Sequence, residues 1–314
     1  MDATPSLPPA TLEAAARRDR LIGIGAALFA VSIWGAWIVA TRHAVSGHLP
    51  PAAAGWLRFV VTAVVLAPAW WRIGLIPKTG RLPFLFCFMG SGVCFFLVVG
   101  NAMRFVPAAD VGPLLPGTMP LVVAVVLVAF FGERLSRLRM IGFACIALGV
   151  LALGGRGILE SHDGSWRGHL LLLTGAVMWS GYTIAFPRAG MSSAEIVGLI
   201  GIWSLIILTP FGLPPLIAAF NAGEGLEILV QLGIQGVGAL VALLAFGVAI
   251  EKLGSSRAAA FTGLVPPLAA LIAVPVLGEH PDAAAITGIV ATGLGVALAS
   301  GAISVRRPSR AHSR

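Results

Sequence analysis

Of 314 residues, 58% are hydrophobic and 11% charged, with a mean hydropathy of +0.95; a soluble core cannot hide that much apolar surface, which excludes an ordinary water-soluble globule. The formal charge of +8, from 21 basic and 13 acidic residues, does not mark a nucleic-acid partner, because the basic residues stand singly between apolar runs with no basic stripe and no interleaved aromatics. Cys87, Cys94 and Cys145 lie inside apolar runs without metal-ligand spacing, so no disulfide, redox pair or metal site is expected.

Residues 1–20 form a polar leader with Arg17, Arg18 and Arg20, read as a cytoplasmic tail. The apolar run that follows is too long for a signal-peptide core and ends in no small-x-small cleavage site, so it reads as a retained membrane helix. Uncharged runs near the ~20 residues that cross a bilayer core predict ten spans. The first five run roughly from Leu21 to Arg42, Ala52 to Trp71, Leu82 to Met103, Ala109 to Phe131 and Leu138 to Gly154. The second five run from His169 to Pro187, Ala194 to Phe220, Leu226 to Ile250, Ser256 to Leu277 and Ala283 to Ile303. The chain thus divides into a first half, 21–154, a polar linker, 155–167, a second half, 168–303, and a basic tail, 304–314. Sixteen of the 21 basic residues gather on the side of the two termini and four on the other, which places both termini in the cytoplasm.

The halves repeat each other at a distance of about 146 residues. Gly117 is answered by Gly263, Pro120 by Pro266, Gly132-Glu133 by Gly278-Glu279, Gly142 by Gly288 and Gly149 by Gly295. In the first helix of each half, Trp34 answers to Trp179 and Trp37 to Tyr182; in the second, Trp56 and Thr62 answer to Trp203 and Thr209. With five helices per copy, the second copy is inverted relative to the first. That arrangement recurs in secondary transporters, whose substrate site lies between the copies near the midplane.

An ATP-driven or hydrolytic reading finds no footing. The two lysines, Lys78 and Lys252, follow Pro77 and Glu251 rather than the glycine a phosphate-cradling loop needs, and neither an H-E-x-x-H helix nor a G-x-S-x-G elbow occurs. No cofactor is expected, and the chain is read as not an enzyme.

These landmarks resemble the EamA family of the drug/metabolite transporter superfamily. The likeness is carried by Gly-Glu at the ends of the fourth and ninth helices, the Gly-spaced fifth and tenth helices, Trp34, and Leu57-Arg58-Phe59. It implies a ten-helix, basket-like carrier of a bacterial inner membrane, of a kind that mostly exports small metabolites, amino acids among them, or drugs. Two departures stand out: His280-Pro281 replaces Arg134-Leu135, and Leu205 stands where Arg58 is repeated.

Arg58 is a charge inside a span, which is costly unless it faces a partner or a watery cavity. It reads either as an anchor for a carboxylate or other anionic group of the substrate, or as half of an internal salt bridge or a side chain snorkelling to the outer interface. Pro113, Pro116 and Pro120 in the fourth helix, and Pro266 and Pro267 in the ninth, should bend or unwind their helices, as hinges of a pathway or as static kinks. Glu227, Gln231 and Gln235 share one stripe of the eighth helix, facing a cavity or bonding neighbouring helices. Trp34, Trp37, Trp179 and Tyr182 offer aromatic walls or plain packing. Glu133 and Glu279, placed at helix C-termini against the dipole, are read as gate or scaffold contacts that need a compensating partner. His43, His48, His162, His169 and His280 map to the outer side, and no acid falls at mid-membrane, Asp110 being nearest.

The expectation is an all-α integral membrane protein of ten helices in two inverted repeats, moving a small molecule, with export as the expected direction and lipids as its other partners. A lipid-translocating or channel-like protein and a non-transporting scaffold are the competing readings; a cavity shared by Arg58 and Gln235 discriminates between them.

Overall fold

The computed structural model describes residues 9–43, 49–77, 80–106, 108–159, 164–277 and 283–300, and all regular structure among them is helical. Glu279, His48, His162, His280 and the basic tail lie outside the described residues. In chain order the α-helices are α1 (Pro9–His43), α2 (Pro51–Val65), α3 (Ala67–Ile73), α4 (Arg81–Ser91), α5 (Val93–Ala102), α6 (Ala108–Leu114), α7 (Met119–Phe131) and α8 (Arg137–Leu159). They continue as α9 (Ser165–Ala185), α10 (Ser193–Asn221), α11 (Gly225–Gln231), α12 (Ala239–Leu253), α13 (Ser255–Thr262), α14 (Val265–Leu277) and α15 (Ala283–Ala299). A π-helical segment, Leu232–Gly238, joins α11 to α12.

Among the described residues six stretches are long and apolar enough to cross a membrane, and α2 with α3 makes a seventh when their 70° bend is taken within one crossing. The expected count of ten is larger: the predicted spans at 138–154, 256–277 and 283–303, which hold α8, the interrupted pair α13 and α14, and α15, are not among the seven, whereas the other broken spans are. Exposed apolar side chains lie on the outside of the bundle, with Phe130 80% and Phe220 68% exposed.

The breaks have local causes. Pro68 starts α3 and cannot continue the hydrogen-bond ladder of α2; the indole N–H of Trp70 donates instead to the Ala63 carbonyl at 2.7 Å. Between α6 and α7 the chain turns at Leu115–Thr118, around Pro116. There the Gly117 amide reaches back to Gly112 O at 3.1 Å, and a Cβ on Gly117 would stand 2.4 Å from Pro113 O, so only glycine fits. Pro120 and the Pro266-Pro267 pair fall in the first turns of α7 and α14, where a missing N–H leaves no intrahelical bond unmade. By contrast, Pro210, Pro214 and Pro215 lie within α10 without interrupting it.

The first Gly-Glu pair is a helix stop. Gly132 takes a left-handed φ of 65° and the Glu133 amide donates to Leu127 O at 3.0 Å, a Schellman-type closure that satisfies an orphan carbonyl of α7.

Two equivalent helices, α8 and α15, pack antiparallel with their backbones touching. A Cβ on Gly142 would meet Gly295 O at 2.7 Å, and one on Gly149 would meet Gly288 O at 2.9 Å. Since Gly142 is repeated as Gly288 and Gly149 as Gly295, the contact is reciprocal, the mark of a two-fold relation. Helices α2 and α10 pair in the same sense: Gly55 packs on Leu208, Thr62 on Gly201 and Ala52 on Gly212.

Candidate functional site

A cavity of about 400 Å³ lies inside the bundle, within the range of small-molecule sites. Its walls come from the C-terminal half of α1, the N-terminal half of α2, the end of α5, the α6–α7 break and α11 with the π segment. All these pieces lie toward one end of the bundle, that of the α1–α2, α5–α6 and α10–α11 connections. Six of the seven predicted binding residues line it: Arg58, Trp34, Trp37, Gln231, Gln235 and Trp179. The seventh, Tyr182, does not; it is 0% exposed beneath the floor. Of the predicted hinges, Pro116 lines the cavity, Pro113 is buried in α6, and Pro120, Pro266 and Pro267 are buried at the starts of α7 and α14.

Arg58 is half-buried in an apolar wall, with its guanidinium carbon 5.9 Å from the Phe96 ring centroid, a cation–π distance. No carboxylate lies within ion-pair reach of it among the described residues. Glu227 lines the same cavity and accepts from Gln231 Nε2 at 2.9 Å through Oε1. The π segment begins just after Gln231 and includes Gln235; such widened turns recur at functional sites. Trp37 Nε1, Trp179 Nε1 and Gln235 Oε1 are buried and find no hydrogen-bond partner among the described residues. Orphaned buried polar atoms are uncommon and call for an explanation; here three of them border one cavity.

The floor is aromatic. Trp34 meets Trp179 edge-on at 5.2 Å and Phe246 at 5.1 Å, while Trp179 lies 5.2 Å from Tyr182, which in turn lies 5.3 Å from Phe186. Sequence reasoning misses Phe95, Phe96 and Phe246, since apolar rings in apolar helices carry no signal of which face they take.

The opposite end of the bundle is tied shut. Arg139 at the start of α8 donates to Glu133 Oε1 at 2.9 Å, to Ala299 O at 3.2 Å and to Ser256 Oγ, joining α8 to α15 and α13. It is the compensating partner that Glu133 needs at its helix end. Lys252 pairs with Asp19 at 2.9 Å and Arg72 with Glu195 at 2.7 Å. At the cavity end, Asp110 and His169, both largely buried, pair at 3.0 Å and fasten α6 to α9.

A model described as the EamA-like transporter family matches residues 21–155 and 166–301. "Uncharacterized transporter YyaM" of Bacillus subtilis (strain 168) is 26% identical over 65% of this chain and 70% of its own length. "Probable terminal-alkyne amino-acid exporter" of Streptantibioticus cattleyicolor is 25% identical over 84% of this chain and 89% of its own. A solved crystal structure shares the fold with a TM-score of 0.67, covering 90% of this chain and 97% of that one at 18% identity. With a family match in each half and a helical bundle that holds a cavity, this chain is a multi-pass membrane protein and belongs to the EamA-like transporter family.

Proposed function

We propose that the protein is a secondary transporter that exports a small polar or amphipathic metabolite, amino-acid-like or drug-like, across the bacterial inner membrane by alternating access. In this reading ten helices form two inverted repeats, both termini are cytoplasmic and the cavity faces outward. The observation that carries it is Arg58: a cation in the apolar wall of a cavity, without a carboxylate partner among the described residues. A charge held inside a membrane protein marks a substrate or ion pathway, and a planar guanidinium suits a carboxylate through two parallel hydrogen bonds. Glu227, with one oxygen taken by Gln231, has the other free for an ammonium group. An amino acid brings both charges, and Trp34, Trp37 and Trp179 suit its apolar side chain or a drug-like ring. The relative named an amino-acid exporter supports the same substrate class. Alternating access is supported by the reciprocal antiparallel contacts of α8 with α15 and by a cavity toward one end of a bundle whose other end is tied by Arg139.

The test is a thermal-shift screen of the purified protein against amino acids, nucleobases, polyamines and common drugs, with Arg58→Ala alongside. A ligand at a hundred times its Kd stabilises the folded state by about 2.7 kcal/mol. We expect a carboxylate-bearing compound to raise the melting temperature of the parent and not of Arg58→Ala. Equal shifts in both would make Arg58 scaffold, and no shift from any class would favour a lipid-translocating or non-transporting protein.

A further inference from the structure

The repeat carries the open cavity onto a second set of residues. Gly90-Ser91-Gly92, at the break between α4 and α5, is answered at 146 residues by Gly236-Val237-Gly238, at the end of the π segment. In that register Gly100 corresponds to Phe246, and Leu115 to Phe261; in the first helices, Trp37 corresponds to Tyr182. Trp37, Gly100 and Leu115 line the cavity. Their counterparts are sealed on the tied side of the floor: Tyr182 and Phe246 are 0% exposed and Phe261 is 3%. The Tyr182 hydroxyl is buried there with no hydrogen-bond partner among the described residues, an arrangement that costs stability in this state and gains nothing for it.

We propose that Tyr182, Phe246 and Phe261 form a second substrate-contacting surface, closed here, that faces the opposite side of the membrane in the alternate state. This rests on the alternating-access reading above. The two copies meet through reciprocal contacts, Gly142 with Gly295 and Gly149 with Gly288, so exchanging the conformations of the copies turns the wall at Trp37 into a floor and the floor at Tyr182 into a wall. The unpartnered hydroxyl then meets water or substrate. Charge does not carry over: Leu205 stands at the place of Arg58, so the second surface holds its ligand by aromatic faces and one hydroxyl. Arg139, bound to Glu133, Ser256 and Ala299, is the tie to be broken for that surface to open, and the repeat puts Ala285 at its counterpart position.

The experiment is single-cysteine labelling with a membrane-impermeant maleimide, in the full chain with Cys87, Cys94 and Cys145 replaced by alanine, in right-side-out and inside-out vesicles. Trp37→Cys is expected to react from one face only, and Tyr182→Cys and Phe246→Cys only from the other. The second pair should react roughly 10- to 1,000-fold more slowly than in denatured protein, the factor set by a minor state of 0.1–10% population. Adding Arg139→Ala should speed their labelling several-fold without changing the face. Labelling of Trp37→Cys with neither of the other two reacting from either face, or reacting from the same face as Trp37→Cys, overturns the proposal while leaving the cavity reading intact. Failure of Trp37→Cys itself to react overturns the cavity reading and the proposal with it. Two target positions are used so that one variant failing to insert leaves the other to decide.

Discussion

Arg58 is legible in the amino-acid sequence, because a lone charge in an apolar run announces itself; its setting against Phe96, in a cavity that Glu227 also lines, is not. A charge-assisted hydrogen bond contributes about 1.5–3 kcal/mol, so Arg58→Ala should weaken binding of the carboxylate ligand found by thermal shift roughly 10- to 100-fold. Arg58→Lys should recover part of the loss, since an ammonium supplies charge without the planar fork. Quenching of the cavity tryptophans reads both. The role of Arg139 is not legible: its partners Ser256 and Ala299 lie 117 and 160 residues away, and the positive-inside count registers it only as one cytoplasmic charge. Arg139→Ala removes three hydrogen bonds at a partly exposed site, where each is screened. We expect a loss of about 1–2 kcal/mol in denaturant unfolding, with ligand affinity at the cavity within about twofold of the parent.

At the scale of elements, the glycine spacing of the fifth and tenth helices has a measurable meaning. A Cβ on Gly142 would press on the Ala299 amide nitrogen at 2.6 Å and on Gly295 O at 2.7 Å. Backbone cannot swing aside, so Gly142→Ala must push α8 from α15 and should destabilise by about 1–3 kcal/mol. Gly25→Ala, with nothing within 4 Å of the new methyl, should be neutral or slightly stabilising; the two melting temperatures in detergent make the comparison. Proline announces the turn at Pro116 and the interruption at Gly263-Leu264, just before Pro266 and Pro267 at the start of α14, while three prolines leave α10 continuous. The break at Gly92 and the π segment carry only closely spaced glycines as a local signal, Gly90 and Gly92 in one and Gly236 and Gly238 in the other, and each is held by packing from another helix. Ser204 Oγ accepts from the Val93 amide at 3.0 Å, and a Cβ on Gly236 would stand 3.0 Å from the Leu57 carbonyl.

For the whole molecule, the duplication is the strongest reading the sequence allows, since a fixed spacing survives even where individual motifs are weak. Which copy's residues face the cavity is beyond it. Periodicity assigns a face to a helix but not the neighbour pressed against that face, and so Tyr182 looks equivalent to Trp37 although one is sealed and the other open. The central claim is that the Arg58 cavity is a station on a transport cycle, and counterflow in proteoliposomes tests it most directly. Vesicles are loaded with the unlabelled ligand found by thermal shift, and entry of the same compound in labelled form is followed for the parent, Arg58→Ala and Gly25→Ala. We expect saturable, transient accumulation with the parent and Gly25→Ala and at least a roughly tenfold smaller initial rate with Arg58→Ala. Accumulation no greater than in protein-free vesicles, or an Arg58→Ala rate equal to the parent's, would contradict the claim.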